Sequence, residues 1–220
     1  MRLWNGWGNE DSDLTMELGD GLRSLLEVLV GPGTALSQAT LNEVISKVPD
    51  TRLDDHPLIK TDPETRVRHA RGQSLPDWLE MHSGNVDTFP DGVAFPESSE
   101  QVRELLAHAK ENNLIVIPYG GGTSVVGHIN PETSDKPILT IDMGKMNSML
   151  SIDTESQLAT FGAGAPGPVV EEELKKHGYT LGHFPQSWEL STLGGWVASR
   201  SSGQQSLHYG RIENMFAGGN

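Results

Sequence analysis

The architecture is predicted most directly by the motif Pro118-Tyr119-Gly120-Gly121-Gly122-Thr123-Ser124, which follows the apolar run Leu114-Ile115-Val116-Ile117. A short run rich in β-branched residues predicts a buried strand. Three glycines directly after a strand let another group approach the backbone, and successive N–H groups in such a turn can form a nest for an anion. Thr123 and Ser124 add two hydroxyl donors. The motif therefore predicts a phosphate or pyrophosphate loop, with a tight connection that binds nothing as the alternative.

The residues before this motif predict a strand–helix–strand unit. Val93-Ala94-Phe95 is a short strand pattern that ends at Pro96, and Ser98 followed by Gln101 is a capping-box pattern for a helix start. Apolar residues then recur at helical spacing until the strand at 114–117. No helix pattern follows the glycines, and the P-loop lysine is missing, so neither a Rossmann nor a P-loop site is predicted.

The rest of the chain divides into two predicted units. Strand patterns lie at 137–142, 151–153 and 158–161, whereas residues 20–29 and 40–48 carry helix patterns, the second opened by a capping box at Thr40 and Glu43. We expect a small helical segment over residues 1–88 that docks on an α/β domain over residues 89–220.

Residues 1–88 also contain a tryptophan pair and a basic cluster. Trp4 and Trp7 predict a docked terminal arm, because Trp is mostly buried. A basic cluster follows at 66–71, and it is expected to be a solvated face or a set of partners for nearby carboxylates, with an anion site as the alternative. Its members are Arg66, Arg68, His69 and Arg71.

Composition excludes several classes of function. The net charge of −14 and the pI near 4.9 disfavour nucleic acid and anionic membrane surfaces as partners. Without cysteine there are no disulfides, cysteine-ligated metals or thiol nucleophiles, and no metal site is expected. No signal peptide or transmembrane segment is predicted, and a cytoplasmic location is expected.

A second glycine motif, Gly162-Ala163-Gly164-Ala165-Pro166-Gly167, matches the dinucleotide fingerprint G-x-G-x-x-G. We interpret it as a structural turn. Two prolines remove N–H donors, and the glutamates at 171–173 are expected in the first turn of the next helix, where they would repel a pyrophosphate.

A third stretch is rich in small polar residues and lies at 185–203. Its density of Ser, Thr and Gly suits a second wall around a phosphorylated, polyhydroxylated ligand. A loose surface loop is the alternative. Four large apolar residues argue against that alternative because they would anchor the stretch in a core: Trp188, Leu190, Leu193 and Trp196.

The glycine motif at 118–124 resembles the pyrophosphate loop of PCMH-type (vanillyl-alcohol-oxidase-like) FAD-binding domains. The segment Gly182-His183-Phe184-Pro185-Gln186-Ser187-Trp188-Glu189-Leu190-Ser191-Thr192-Leu193-Gly194-Gly195-Trp196 resembles the second flavin-binding segment of the alkylglycerone-phosphate synthase branch. Trp4-Asn5-Gly6-Trp7-Gly8 and Arg68-His69-Ala70-Arg71-Gly72 fit the same branch. The resemblance implies an α+β fold in which two α/β subdomains, incomplete in this sequence, hold FAD between them.

The resemblance also implies roles for individual residues. Members that attach flavin covalently use a histidine where this chain has Thr123, so non-covalent FAD is expected. Gln186 stands where the synthases have an acidic residue, and His183 is the one named candidate for a catalytic role. The implied cofactor-binding residues are Pro118, Tyr119, Gly120, Gly121, Gly122, Thr123, Ser124, Gln186, Ser187, Ser191, Thr192, Gly195, Ser199 and Ser202.

The sequence is compatible with three functions. The first is an alkylglycerone-phosphate synthase, which exchanges an acyl for an alkyl group on dihydroxyacetone phosphate without net redox change. The second is an FAD-linked oxidoreductase of a 2-hydroxy acid, and the third is a cofactor-binding fragment without activity. Family members continue with further strands and a cap domain that carries the catalytic residues, so a fragment is expected here. A lipid-like or other small-molecule substrate is expected, and a homodimer is an open alternative.

Overall fold

The structure is a computed structural model that describes residues 2–10, 19–34 and 36–219. The helices among these residues are α1 (Asp20–Val30), α2 (Leu41–Ile45), α3 (Pro63–Arg68), α4 (Leu75–Ser83), α5 (Ser99–Glu111), α6 (Gly167–Lys175), α7 (Leu193–Ser199), α8 (Ser206–Tyr209) and α9 (Ile212–Met215). The strands are β1 (Ile59–Lys60), β2 (Gly92–Ala94), β3 (Ile115–Tyr119), β4 (Ile138–Asp142), β5 (Met149–Asp153) and β6 (Leu158–Phe161). No helix in these ranges has the length and apolar character needed to cross a bilayer.

A four-stranded sheet carries the glycine motif. Its strand order is β1-β2-β4-β3, with β2, β4 and β3 parallel and β1 antiparallel to β2. Helix α5 covers one face through Leu105, which is fully buried against Ala94 and Leu139. Tyr119 at the end of β3 pairs with Asp142 at the end of β4. The glycine motif therefore leaves the sheet at its carboxyl edge, where open parallel sheets bind their ligands.

A separate two-stranded antiparallel sheet, β5–β6, lies further along the chain. Helix α6 packs on it through Val170 and Leu174, with Phe161 at the edge of that cluster. Two sheets, each with its own helix layer, confirm the predicted α+β class.

The segment before residue 89 is built around a cluster of its own. Val44, Val67 and Met81 pack together from α2, α3 and α4, and Trp4 packs against them. This agrees with the predicted docked arm. Because β1 pairs with β2, residues before the predicted boundary at 88 also complete the first sheet, and the boundary itself stays a prediction.

Helix starts agree with the sequence better than helix ends do. Both hydrogen bonds of the capping box at Thr40 and Glu43 are present, but the helix ends at Ile45 rather than at Val48. Ser98 accepts from the N–H of Gln101, whereas the Gln101 amide oxygen accepts from the N–H of Glu97, so the second half of that predicted box is replaced.

The side chains of the basic cluster at 66–71 bond backbone carbonyls and carboxylates of the protein. Arg66 is buried and donates to the carbonyls of Pro90 (2.6 Å) and Pro49 (2.7 Å). The other three members face carboxylates: Arg68 that of Glu64, His69 that of Asp142, and Arg71 those of Glu80 and Asp87. The cluster is largely buried rather than a solvated face.

Candidate cofactor site

Tyr119 forms the floor of the glycine motif. Its ring is buried, and burial raises the pKa of its hydroxyl to about 12, so the phenol is neutral. Gly122 lies over this hydroxyl with a φ of +66°, and a Cβ at Gly122 would collide with it. Only glycine fits there, because both the left-handed backbone and the missing side chain are needed.

Backbone N–H groups of the glycine loop are left without acceptors by the described residues. The N–H groups of Gly120, Gly121, Gly122, Thr123 and Ser124 find no acceptor among the described residues. Two of the loop carbonyls, by contrast, have a donor: that of Gly121 accepts from the Arg2 guanidinium, and that of Ser124 accepts from the N–H of Gln73 at 2.6 Å. Buried amides are almost always paired, so a run of amides that lack a partner in the described ranges, with Gly122 buried among them, fits an anionic ligand.

The first two glycines are required by packing. A Cβ at Gly120 would collide with the Thr192 hydroxyl, and one at Gly121 would collide with the Leu190 carbonyl. The two predicted walls are thus in direct contact. We expected these glycines to leave room for a ligand, but the structure shows that at Gly120 and Gly121 the space is taken by the second segment.

Several hydroxyls of the second segment hold that segment together. Ser191 is buried, donates to the carbonyl of Ser187 at 2.8 Å and accepts from the Trp196 indole N–H at 2.6 Å. Thr192 caps α7 by accepting from the N–H of Gly195, and Ser199 donates back to the Gly195 carbonyl at 2.8 Å. These side chains fix the shape of the wall.

Other predicted side chains have no such bonds. Those of Thr123, Gln186, Ser187 and Ser202 make no hydrogen bond within the described ranges, and Gln186 and Ser202 are exposed. Gln186 lies at the rim of a cavity of about 270 Å³. That cavity is lined by Trp7, Phe184, Pro185, Gln186, Trp188, Glu189 and Gln204.

His183 is enclosed in the second segment. It is 1% exposed, its Nε2 lies 2.7 Å from the Ser201 hydroxyl, and its ring meets Trp196 edge-on. Its Nδ1 is buried without a partner in the described part of the chain, and burial lowers the pKa of the ring. These facts describe a neutral histidine that supports the wall, and a catalytic role for His183 stays an untested prediction.

The motif at 162–167 is a packed turn. Cβ atoms at Gly162 and Gly164 would collide with the carbonyls of Met146 and Met143. We expected the glutamates at 171–173 in the first turn of the next helix. That expectation is wrong, because α6 begins at Gly167 and has no acidic residue in its first turn. Glu171 instead accepts from the N–H of Leu181 at 3.0 Å.

Arg2 is the contact residue that sequence reasoning missed. The tryptophans predicted that residues 2–10 would dock, but nothing in the spacing indicated which side chain would reach the glycine loop. The Arg2–Gly121 contact spans more than half the chain and depends on the tertiary fold.

Comparisons with known proteins agree with this geometry. A model of the FAD binding domain matches residues 90–219. The chain belongs to the FAD-binding domain family. It is 42% identical over 157 residues to the alkyldihydroxyacetonephosphate synthase of Dictyostelium discoideum, covering 71% of this chain and 26% of that protein.

Two more comparisons bear on the family. A solved structure of an alkyldihydroxyacetonephosphate synthase superposes with a TM-score of 0.84 at 32% identity, covering 97% of this chain and 44% of that one. A mitochondrial D-lactate dehydrogenase [cytochrome] of Saccharomyces cerevisiae is 30% identical over 137 residues, covering 62% of this chain and 23% of that protein. The chain thus spans about a quarter of the length of these curated relatives.

FAD is the cofactor of this family, and the residues present fit it. The five amides suit a pyrophosphate, and the hydroxyls of Thr123, Ser187 and Ser202 suit ribityl and phosphate oxygens, since none of these groups has a partner among residues 2–10, 19–34 and 36–219. Such neutral donors can hold a dinucleotide in a chain whose net charge is −14.

Proposed function

We propose that this chain is the FAD-holding part of an enzyme of the alkyldihydroxyacetonephosphate synthase type. The observation that carries the proposal is the run of five amides at 120–124 that have no partner in the described part of the chain, directly against a second segment with polar side chains that are likewise unpaired there. In this proposal the loop binds the pyrophosphate, and Gln186, Ser187 and Ser202 line the rest of the cofactor. FAD is held non-covalently, since Thr123 cannot form a flavin–histidine link.

The proposed reaction is exchange of the acyl group of an acylated dihydroxyacetone phosphate for a fatty alcohol, with no net redox change. Similarity to a synthase at 42% identity supports it. The proposed substrate is a phosphorylated, lipid-like small molecule, and the proposed location is the cytoplasm. The contribution of this chain is to bind and orient the cofactor, while FAD when bound supplies the reactive flavin ring.

A second candidate is oxidation of a 2-hydroxy acid by hydride transfer to flavin. The similarity to a D-lactate dehydrogenase favours it, but at lower identity and over less of the chain than the synthase similarity. The third candidate, a cofactor-binding chain without turnover, differs from both only in the reaction assay.

The cofactor site is tested by titrating the chain with FAD and following flavin fluorescence. Thr123→Val keeps the side-chain volume but loses a hydroxyl that bonds nothing in the described protein, so we expect affinity to fall about fivefold to tenfold, or roughly 1–1.4 kcal/mol. Thr133→Val, at an exposed loop threonine, is the matched control and should change nothing. Equal affinity for the two variants would remove Thr123 from the site, and no binding by the wild-type chain would refute the proposal.

The candidate reactions are distinguished on the FAD-loaded enzyme of which this chain is proposed to be the FAD-holding part. Transfer of a labelled fatty alcohol onto acylated dihydroxyacetone phosphate would support the synthase. Loss of flavin colour on anaerobic addition of D-lactate would support the oxidoreductase. FAD binding with neither reaction would support the third candidate.

A further inference from the structure

We propose that Arg2 is a positioning residue of the cofactor site, and that the arm formed by residues 2–10 is a strap that holds the glycine loop in its binding shape. This inference rests on the proposed role of residues 120–124 as the pyrophosphate loop. The arm touches that loop, the core cluster and the rim of the neighbouring cavity, as its contacts show in turn.

The arm is a closed loop rather than a trailing end. Arg2 and Asn9 form an antiparallel bridge, and the N–H of Leu3 donates to the carbonyl of Gly8 at 3.0 Å. Gly8 has a φ of +98°, which allows the tight return. Trp4 anchors this loop against the core cluster around Val44.

Arg68 fixes the base of the arm. Its guanidinium donates to the Arg2 carbonyl at 2.9 Å and pairs with Glu10 at 3.2 Å, while its Nε donates to Glu64 at 2.9 Å. A planar guanidinium with several donors holds such an arrangement better than a single ammonium does. The backbone of Arg2 is therefore placed by α3, which carries Arg68.

The side chain of Arg2 then acts on the glycine loop. It donates to the carbonyl of Gly121, which shares a planar trans peptide with the N–H of Gly122. In such a peptide, C=O and N–H point in opposite directions. Holding the carbonyl toward the arm therefore points the Gly122 N–H away from the arm. Gly122 is buried, and its N–H is one of the five that have no acceptor among the described residues.

The far end of the arm reaches the second wall. Trp7 lines the same cavity as Phe184, Gln186 and Trp188. The arm therefore spans both segments that the proposed function assigns to FAD. Releasing it would free the Gly121 peptide to rotate and would open one side of the cavity.

The first experiment measures FAD affinity in three variants of the 220-residue chain. Arg2→Met keeps the unbranched stem but removes the donor, and we expect affinity at least tenfold weaker, equivalent to about 1.4 kcal/mol. Arg2→Lys supplies one donor for one carbonyl and should stay within about threefold of wild type. Arg103→Met, at an exposed arginine on α5, is the matched control and should leave affinity unchanged.

The second experiment needs no FAD. Because the chain has no cysteine, a single Thr123→Cys reports loop exposure through its rate of thiol labelling. We expect labelling at least fivefold faster with Arg2→Met and unchanged with Arg2→Lys or Arg103→Met, measured well below the melting temperature of each variant. A merely structural loss would lower the melting temperature without being rescued by lysine.

The outcomes separate the two proposals. Arg2→Met affinity within twofold of wild type, or an unchanged labelling rate, would overturn the role of Arg2. If the wild-type chain binds no FAD, the proposed function fails, and the labelling rates alone decide whether the arm positions the loop.

Discussion

At the scale of single residues, the glycine loop shows how one residue type serves two demands. Gly122 is required by its left-handed backbone over the Tyr119 hydroxyl, whereas Gly121 is required because the Leu190 carbonyl occupies the place of its side chain. A branched side chain at Gly121 would therefore separate the two walls as well as disturb a ligand. Loss of FAD binding in such a variant would carry little information unless its stability were measured too.

His183 provides a prediction with a definite sign. Burial lowers the pKa of its ring in the folded protein, while in the unfolded chain the pKa is ordinary, about 6.5. Between these two values the unfolded state binds more protons, so lowering the pH favours unfolding. The stabilising contribution is complete above about pH 6.5 and is lost as the pH falls toward the folded-state pKa.

We therefore expect the unfolding free energy of the wild-type chain to fall more steeply than that of His183→Gln between about pH 7.5 and about pH 5.5. The measurement is urea denaturation at a series of pH values. His128→Gln, at an exposed histidine, should keep the wild-type slope. Parallel curves for wild type and His183→Gln would show that the ring is not held neutral.

At the scale of elements, the turn at 162–167 connects the β5–β6 sheet to helix α6 and also contacts the second segment, residues 185–203. The carbonyls of Ala163 and Ala165 accept from the N–H groups of Gly194 and Leu193, each at 2.8 Å. This turn therefore places the start of α7 through its own carbonyls, a role that a phosphate-binding fingerprint does not predict.

Gly164→Ala tests this reading of the turn. Its new methyl group would collide with the Met143 carbonyl, and we expect the unfolding free energy to fall by about 1–3 kcal/mol. FAD affinity of the folded fraction should change by less than about threefold, or about 0.7 kcal/mol. Gly33→Ala is the control, since nothing lies within 4 Å of the added carbon. A tenfold loss of affinity at unchanged stability would mean that this turn contacts the cofactor after all.

The elements themselves were predictable where local signals are strong. The strands near 93–95, 114–117, 137–142, 151–153 and 158–161 and the helix capped by Ser98 follow from apolar runs and capping residues, although β5 begins two residues earlier than predicted, at Met149. Strand β1 was not predicted, because a two-residue strand owes its existence to its pairing with β2 rather than to its own pattern. The end of α2 was also missed, since helix ends depend on packing.

The sequence predicted the two stretches that form the site, but it did not predict how they pack against each other. Residues 118–124 and 186–202 could be named from glycine and hydroxyl density, yet their direct contact through Gly120 and Gly121 is a tertiary fact. The same holds for Ser191, whose hydroxyl looks like a ligand donor in the sequence and holds Trp196 in the structure. Hydroxyl counts indicate that a polar site exists, but not which hydroxyls the fold has already used.

At the scale of the whole molecule, the β5–β6 sheet combines open strand edges with exposed apolar side chains. Within the described residues it has only two strands, so both outer edges lack a partner strand. Leu150 and Leu158 are 65% and 51% exposed on these strands. Two-stranded sheets are marginally stable alone, and open edges with apolar side chains pair with other chains.

We therefore expect the 220-residue chain to self-associate as its concentration rises, through these edges. The measurement is the mass from light scattering over a concentration series, with and without FAD. Replacing both leucines by lysine, Leu150→Lys with Leu158→Lys, should keep the chain monomeric because charged edges resist pairing. Leu207→Lys, at a fully exposed position on α8, should associate like the wild type. Association that survives the double substitution would move the contact elsewhere, with the exposed leucines of α1 next to be tested.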